Sequence, residues 1–161
     1  MMSSERVASP RIFNGGPKMR FALRPARPDD FDFCSRLYFQ GMEAAIQHFQ
    51  LDMVAQTTSL HESWNAHEVR IITSSGADVG WVQSLTANNA LYLAQIFIDA
   101  AFQRRGIGTE VIQGLIDQAT QAGQPVTLGV IKTNPARHLY QRLGFRITQE
   151  NGHKFYMRRE A

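Results

Sequence analysis

Residues 91–109 hold the feature that most constrains this chain: a mostly apolar strand, a loop with two glycines and the start of a helix follow one another directly. Residues 91–98 are almost continuously apolar, which is typical of a buried strand. Apolar side chains then recur every three to four residues and predict a helix from Ile107 to about residue 122. The segment therefore predicts a strand that enters a helix through a short glycine-containing loop.

The loop itself, residues 103–108, has the composition of an anion site. The first backbone N–H groups of a helix lack intrahelical partners, and the helix dipole makes that end electropositive. Gly106 and Gly108 leave room for a phosphate to approach the backbone, because neither has a side chain. Arg104 and Arg105 add positive charge beside it. A pyrophosphate is a natural ligand for such a loop.

Two common nucleotide-binding loops do not fit these residues. The phosphate loop of nucleotide hydrolases requires Lys and then Ser or Thr after its second glycine, whereas Thr109 and Glu110 follow Gly108. The dinucleotide-binding fingerprint requires a third glycine, and Val111 occupies that position. The loop therefore argues against a nucleotide hydrolase and against a Rossmann dehydrogenase.

The remaining periodicities predict one α/β (α+β) domain at residues 19–161, preceded by a flexible extension at residues 1–18. The predicted element order is βααβββαβαββ, which indicates a mixed sheet with helices on its faces. A bend between the first two helices is expected near Gly41, and Asn134 is expected to cap the last helix. The predicted strands are residues 19–24, 67–73, 79–85, 91–98, 126–131, 145–148 and 154–158, with turns at residues 74–78, 88–89 and 151–152.

Composition and charge exclude several classes of protein. The chain has 161 residues and one cysteine, Cys34, so an internal disulfide framework is excluded and a cytoplasmic location is expected. Cys34 shares an apolar helix face and is expected to be a buried structural thiol. No apolar run approaches the roughly 20 residues of a membrane-spanning helix. The five His residues show no metal-site spacing, and no metal is expected.

The charge is unevenly distributed along the chain, although its total is only +3. Over residues 20–99 nine acidic side chains oppose five basic ones, whereas over residues 100–161 nine basic ones oppose four acidic ones. The basic half suits a polyanion, and the acidic half weakly favours a cationic acceptor. No interleaving of aromatic and basic residues is present, so no nucleic-acid partner is expected.

The loop and a second segment together resemble the GNAT superfamily of N-acetyltransferases. The acyl-CoA motif of that family is Gln/Arg-x-x-Gly-x-Gly/Ala after a strand, and residues 103–108 fit it without exception. Residues 134–145, from Asn134 to Phe145, are similar to a second family element. The resemblance covers about residues 19–159 in the right order. It implies a mixed, mostly antiparallel central sheet with a splayed strand pair, flanked by about four helices.

The same resemblance implies acetyl-CoA as the acyl donor and a primary amine of a small molecule or peptide as the acceptor. The strand before the loop would pair its backbone with the pantetheine arm, and the loop would hold the pyrophosphate. Asn134 would cap its helix or bind the arm, and Arg137 would meet cofactor phosphate or be a solvated helix charge. The cofactor-binding residues implied are Ile96, Phe97, Ile98, Gln103, Arg104, Arg105, Gly106, Ile107, Gly108, Thr109, Asn134, Arg137 and Tyr140.

Tyr140 matches the general-acid tyrosine of the family. A phenol has a pKa of about 10 and can protonate, or donate a hydrogen bond to, the departing thiolate at neutral pH. Many relatives carry a carboxylate in the strand before the loop, but residues 91–98 contain none. Glu43, His48, His61 and Glu62 are the alternatives for a base, and Glu43 is preferred because it follows Gly41.

Two further interpretations stay open at this point. The missing carboxylate in residues 91–98 slightly favours a non-catalytic acyl-CoA-binding regulator, whereas Tyr140 and Asn134 favour an enzyme. The identity of the acceptor is not specified by any motif. Since GNAT proteins are often dimers, a homodimer is expected by resemblance alone.

Overall fold

The computed structural model describes residues 7–8 and 21–161. The predicted extension at residues 1–18 and the predicted domain start at residue 19 therefore fall largely outside the described residues. Four helices and eight strands are present in the described part of the chain. The helices are α1 Phe31–Phe49, α2 Met53–Ser63, α3 Ile107–Gln121 and α4 Ala136–Arg142; the strands are β1 Val7–Ala8, β2 Ala22–Pro25, β3 Val69–Ser74, β4 Ala77–Ala87, β5 Ala90–Ile98, β6 Val126–Ile131, β7 Arg146–Glu150 and β8 Lys154–Arg159.

All eight strands form one sheet in the order β2-β3-β4-β5-β6-β8-β7, and β1 pairs with the end of β4. Every neighbouring pair is antiparallel except β5 and β6, which run parallel. The β5–β6 pairing extends only from Leu91 to Leu93 on β5 and from Val126 to Leu128 on β6. Beyond these residues the two strands diverge, which confirms the predicted mixed, mostly antiparallel sheet with a splayed strand pair.

The two faces of the sheet are covered by different helices. The core on the α3 and α4 face contains Leu91, Leu93, Val111 and Tyr140. The core on the opposite face lies under α1 and α2, and its members are Cys34, Leu37, Tyr38, Leu60, Val69, Ile71 and Trp81. β4 is buried from Val79 to Leu85 because it lies between these two layers, and its apolar sequence follows from that position.

Local sequence signals predicted the turns and the boundaries of α3 closely, except that one turn is shorter than predicted. α3 ends at Gln121 and β6 spans Val126–Ile131, as predicted. The predicted turn at residues 74–78 is tighter: Ser74 pairs with Ala77, so only Ser75 and Gly76 form the loop. Both have positive φ, 52° and 82°, which is the geometry of a two-residue hairpin turn.

The predicted bend near Gly41 is wrong. α1 continues through Gly41 to Phe49, and the chain turns at Gln50, whose φ is 52°. Gly41 serves packing instead: a Cβ built there would lie 2.6 Å from Cδ1 of Phe97 on β5. The glycine therefore allows α1 to cross close to β5.

An ion pair holds the start of α1 against the sheet. Arg24 on β2 donates two hydrogen bonds of 3.0 Å to the Asp30 carboxylate, and a further one of 3.0 Å to Asp78 at the start of β4. The hydrogen bonds from Arg24 lower the pKa of the buried Asp30 carboxyl. Since this pKa is depressed in the folded state, the associated stability is present at neutral pH and is lost as the pH falls through it.

Two glycines provide a matched test of the β4–β5 contact. In Gly80→Ala the new Cβ would lie 2.6 Å from the Phe97 carbonyl oxygen, so this variant should lose about 1–3 kcal/mol of unfolding free energy. Gly152→Ala meets no atom within 4 Å and should change by less than about 0.5 kcal/mol. Urea denaturation measures both values, and equal effects would contradict the close approach of β4 and β5.

Candidate active site

The divergence of β5 and β6 opens a cleft through the sheet with a volume of about 760 Å³. Its walls are formed by β5 and β6, and its ends by α1 on one face and by α3 and α4 on the other. Of the site residues predicted from sequence, eleven line this cleft: Ile96, Phe97, Ile98, Gln103, Arg104, Gly106, Ile107, Gly108, Thr109, Asn134 and Tyr140. The structure therefore brings together residues that are up to 44 positions apart in sequence, from Ile96 to Tyr140.

The β5 wall turns backbone groups that have no strand partner toward the cleft. The Asp99 N–H donates to the Val79 carbonyl at 2.8 Å, so Asp99 faces β4. Because backbone groups alternate in direction along a strand, Ile96 and Ile98 turn theirs away from β4 and toward the diverging β6. The Ile98 carbonyl accepts a hydrogen bond of 2.8 Å from Gln103 Nε2, which fixes the loop to the strand end.

A β-bulge lies where the divergence begins. Gln83 pairs with Gln95, and Ser84 pairs with Leu93, so Ala94 has no partner on β4. The β5–β6 pairing ends at the same level, after Leu93. A bulge of this kind leaves an unpaired residue and bends the strand. The backbone around Ala94 is thus available to a bound molecule.

The loop between β5 and α3 has the geometry expected of an anion site. Asp99 caps a short 3-10 helix, Ala100–Phe102, by accepting from the Ala101 N–H at 3.0 Å. Gly106 then adopts a left-handed φ of 81° at the N-cap of α3, where a side chain would be strained. Its carbonyl accepts the Glu110 N–H, so the N–H groups of the first helical turn remain directed out of the helix end.

The two arginines of the loop lie differently. Arg104 lines the cleft and has a φ of 65°, which is uncommon for a residue with a side chain. Arg105 places its Cζ 5.1 Å from the centre of the Phe102 ring and does not line the cleft. Both side chains are exposed, so both can contribute charge to the mouth of the anion site.

Asn134 and Tyr140 enter the cleft from the α4 side. The Asn134 Oδ1 accepts the Ala136 N–H at 2.9 Å, which is the predicted capping role. Tyr140 is 6% exposed and packs edge-on against Phe145. Burial raises the pKa of Tyr140 to about 12, so the phenol remains protonated throughout the neutral range.

The structure does not bring Arg137 or any of the suggested bases to the cleft. Arg137 lies over the Phe155 ring, with its Cζ 4.9 Å from the ring centre. Glu43 is exposed on a side of α1 that does not line the cleft. His48, His61 and Glu62 are also exposed and outside the lining, and His61 stacks on Phe31.

Gln83, Gln95 and Lys154 are among the polar residues that line the cleft and that sequence reasoning did not assign to the site. Gln83 is 2% exposed and donates to the Ser63 carbonyl and to Glu68 Oε1, each at 2.9 Å. Since both its donated hydrogen bonds come from Nε2, its carbonyl oxygen is the polar group that it can offer to the cleft. The sequence signal that could have identified Gln83 is its position as a glutamine within the mostly apolar run of residues 79–85.

Neither a nucleophilic cysteine nor a metal site is indicated in the described residues. Cys34 is fully buried, and burial raises the pKa of its thiol to about 12. No group of three or more His, Cys, Asp or Glu side chains within residues 7–8 and 21–161 could hold a metal ion. In the same ranges no helix is long and apolar enough to cross a membrane.

Solved structures share this architecture at low sequence identity. PaiA N-acetyltransferase from Thermoplasma acidophilum in complex with coenzyme A is 13% identical, with a TM-score of 0.71 over 89% of this chain and 100% of that one. Ard1 from Thermoplasma volcanium is 18% identical, with a TM-score of 0.64 over 89% and 99% of the two chains. The chain therefore shares its fold with these two proteins.

The sequence comparisons define the family. The family model described as an acetyltransferase (GNAT) domain matches residues 40–157. The chain thus belongs to the GNAT acetyltransferase family, and the resemblance in residues 103–108 and 134–145 is confirmed.

Two curated relatives match shorter segments. The human cysteine-rich protein 2-binding protein is 41% identical over 68 residues, which are 42% of this chain and 8% of that protein. An uncharacterized N-acetyltransferase of Methanocaldococcus jannaschii is 32% identical over 71 residues, which are 42% of this chain and 31% of that protein. The matches thus span less than a third of either relative.

The burial of Cys34 has a direct chemical consequence. With a thiol pKa of about 12, only about one molecule in 10⁴ holds the thiolate at pH 8, and thiol reagents need the thiolate. A disulfide reagent at pH 8 should therefore label the folded protein far more slowly than the urea-unfolded protein. Since Cys34 is the single cysteine, the released chromophore reports this site alone. Rapid labelling of the folded chain would contradict a structural role.

Proposed function

We propose that this protein transfers the acetyl group of acetyl-CoA to the nitrogen of an amine in a ternary complex. The observation that carries the proposal is one cleft that is lined both by the start of α3 and by the buried Tyr140, along the open edge of β5. An acyl-CoA carries a pyrophosphate and a reacting thioester at opposite ends of its pantetheine arm. These two groups would match the start of α3 and Tyr140.

Each part of the donor has a matching group along the cleft. The N–H groups of Ile107, Gly108 and Thr109 would hold the pyrophosphate, with Arg104 beside them. The backbone of Ile96 would hydrogen-bond the amide groups of the pantetheine arm in the manner of an added strand. The coenzyme A bound to the PaiA protein, which shares this fold, supports the same donor here.

The proposed acetyl transfer uses the groups that lie where β5 and β6 separate. The amine nitrogen attacks the thioester carbonyl, a C–N bond forms, and the developing oxyanion is met by backbone N–H groups near Ala94. The C–S bond then breaks, and the proton that the positively charged attacking nitrogen must lose passes to solvent water. The products are the N-acetylated acceptor and coenzyme A.

Tyr140 would act on the departing sulfur. A thiol has an ordinary pKa of about 8.5, well below the value of about 12 to which burial raises the pKa of Tyr140. Complete proton transfer from this phenol to the thiolate is therefore uphill. Donation of a hydrogen bond to the sulfur as its charge develops is the role that the buried phenol suits best, and the released thiolate takes its proton from solvent.

No carboxylate lines the cleft among the described residues, and this affects how the amine is activated. The proposal that Glu43 is the base is not supported by its exposed position on α1. The carbonyl oxygen of Gln83 offers an acceptor for an amine N–H, which would orient the nitrogen lone pair toward the thioester. The amine would then react from its neutral form and release its proton to water.

The lack of a carboxylate in the cleft lining among the described residues also favours a second candidate function, a non-catalytic acyl-CoA-binding regulator. The two candidates differ in turnover, so the test is thiol release from acetyl-CoA with a broad amine panel, beside direct binding of acetyl-CoA by calorimetry. Binding with acetyl transfer supports the enzyme. Binding without transfer to any amine supports the regulator, and no binding contradicts both.

Gly108 permits a test that separates ligand binding from folding. A Cβ at Gly108 meets only Ile98 Cγ1, at 3.8 Å, so a side chain fits the protein itself. Gly108→Asp would place a negative charge at the start of α3, which favours the helix but repels pyrophosphate. Acetyl-CoA affinity should fall at least about 10-fold in calorimetry, with the melting temperature unchanged or raised.

The isosteric neutral variant Gly108→Asn is the matched control. It has the same size without the charge, so its loss of affinity should be clearly smaller. If Asp and Asn weaken acetyl-CoA binding equally, steric blockage rather than charge governs the loop.

Tyr140→Phe tests the leaving-group role. The variant retains the buried ring and loses the hydroxyl, so kcat should fall at least about 100-fold. The acetyl-CoA dissociation constant should change only a few-fold. Because burial raises the pKa of Tyr140 to about 12, the wild-type kcat should show no alkaline decline from this group below about pH 10. An unchanged kcat in Tyr140→Phe would remove the residue from the mechanism.

A further inference from the structure

Two charged side chains line the cleft in the described part of the chain, and both are cations: Arg104 and Lys154. Arg104 belongs to the loop at the start of α3, so its charge is assigned to the donor pyrophosphate. Lys154 lies at the first position of β8, on the other side of β6 from β5. Its charge is not used by the donor-binding groups described above.

The register of the sheet shows how Lys154 reaches the cleft. Lys154 pairs with Ile131 and Tyr156 pairs with Gly129, and alternate residues of β8 share one face. At Gly129 a Cβ would lie 3.7 Å from the Lys154 Cδ and 3.3 Å from the Tyr156 ring. Because Gly129 has no side chain, the stem of Lys154 can lie across β6 toward the cleft that Gly129 also lines.

Several other cations around this hairpin have carboxylate partners. Lys132 Nζ lies 2.6 Å from Glu150 Oε1, and Arg158 Nε lies 2.8 Å from Glu160 Oε2. No carboxylate within 4.0 Å of the Lys154 ammonium is recorded among the described residues, and its side chain is exposed. Its charge is therefore available to a bound molecule.

Apart from Arg104 and Lys154, the described residues that line the cleft are uncharged. The cleft takes its polar lining from residues that include Ser63, Gln83, Tyr92 and Gln95, and part of its apolar lining from α1 residues such as Met42. The acidic residues of the first half of the chain do not line it: Glu68 is 2% exposed and bound behind Gln83. The acidic character of residues 20–99, which suggested a cationic acceptor, therefore does not extend into the cleft.

We propose that the acceptor amine carries an anionic group, such as a carboxylate, and that Lys154 binds it while Gln83 orients the amine. This inference rests on the proposed acetyl transfer and names the acceptor class for the same cleft. A free amino acid and a peptide with an acidic residue near its N-terminus share this chemistry. Amines with a second positive charge meet Lys154 without a compensating carboxylate and are disfavoured.

The experiment compares matched acceptors with wild-type protein, Lys154→Gln, Lys154→Glu and the control Lys132→Gln. One probe pair is phenylalanine and phenethylamine, which differ by the carboxylate. A second set is the tripeptide amides Ala-Glu-Ala, Ala-Gln-Ala and Ala-Arg-Ala. Thiol release gives kcat and KM for each acceptor, and calorimetry gives the acetyl-CoA dissociation constant for each variant.

Wild-type kcat/KM should be at least about 10-fold higher for the acidic member of a set than for the neutral one, with the cationic one lowest. Lys154→Gln should remove this preference through KM, and Lys154→Glu should reverse it. Lys132→Gln should retain it, since Lys132 does not line the cleft. Preference within the amino-acid pair indicates a small acceptor, and preference within the tripeptide set indicates a peptide.

Two results would overturn the inference about the acceptor and leave the proposed acetyl transfer intact. Acetyl transfer with equal or higher efficiency for neutral or cationic acceptors contradicts an anionic acceptor class. A preference for acidic acceptors that persists in Lys154→Glu contradicts the role of Lys154. If acetyl-CoA binds but no probe accepts the acetyl group, the proposed transferase function itself fails and this inference fails with it.

Discussion

The early end of the pairing between β5 and β6 is the constraint on which the functional architecture depends. Three residues on each strand are paired, from Leu91 to Leu93 and from Val126 to Leu128, and the strands then separate. Each strand is stabilised on its other side, β5 by β4 and β6 by β8, so the gap can open without leaving either strand unpaired on both edges. The backbone groups that the sheet leaves without a strand partner within the gap are those to which we assign binding of the pantetheine arm.

The packing on the α1 face maintains this gap. α1 crosses β5 closely because Gly41 leaves the space that the Phe97 ring occupies, and that ring also contacts Trp81 and Tyr38. These contacts hold β5 against β4 and α1 rather than against β6. The bulge at Ala94 adds the bend. The glycine in the middle of a helix, which costs helix stability by itself, therefore lets α1 approach the β5 wall of the cleft, which Gly41 also lines.

The sequence predicted what is local and did not predict what depends on tertiary contacts. The Gly106 loop, the helix it starts and the Asn134 cap are each determined by a few neighbouring residues, and all three appear at the predicted positions. The roles of Arg137 and Glu43 depended on which side of a helix faces the cleft, and neither side chain lines it. Gln83 and Lys154 come from strands far apart in sequence, and only the register of the sheet brings them to one cleft.

The net charge of each half of the chain likewise does not predict the charge that lines the cleft. The first half of the chain is acidic, yet its carboxylates are exposed, bound to arginines such as Arg24 or held behind Gln83. The second half is basic, yet most cations near the β7–β8 hairpin are paired with Glu150 or Glu160. Two cations remain in the lining of the cleft, Arg104 and Lys154. A bound acceptor meets the field of these two side chains at short range, whereas the screened charges elsewhere act on it weakly.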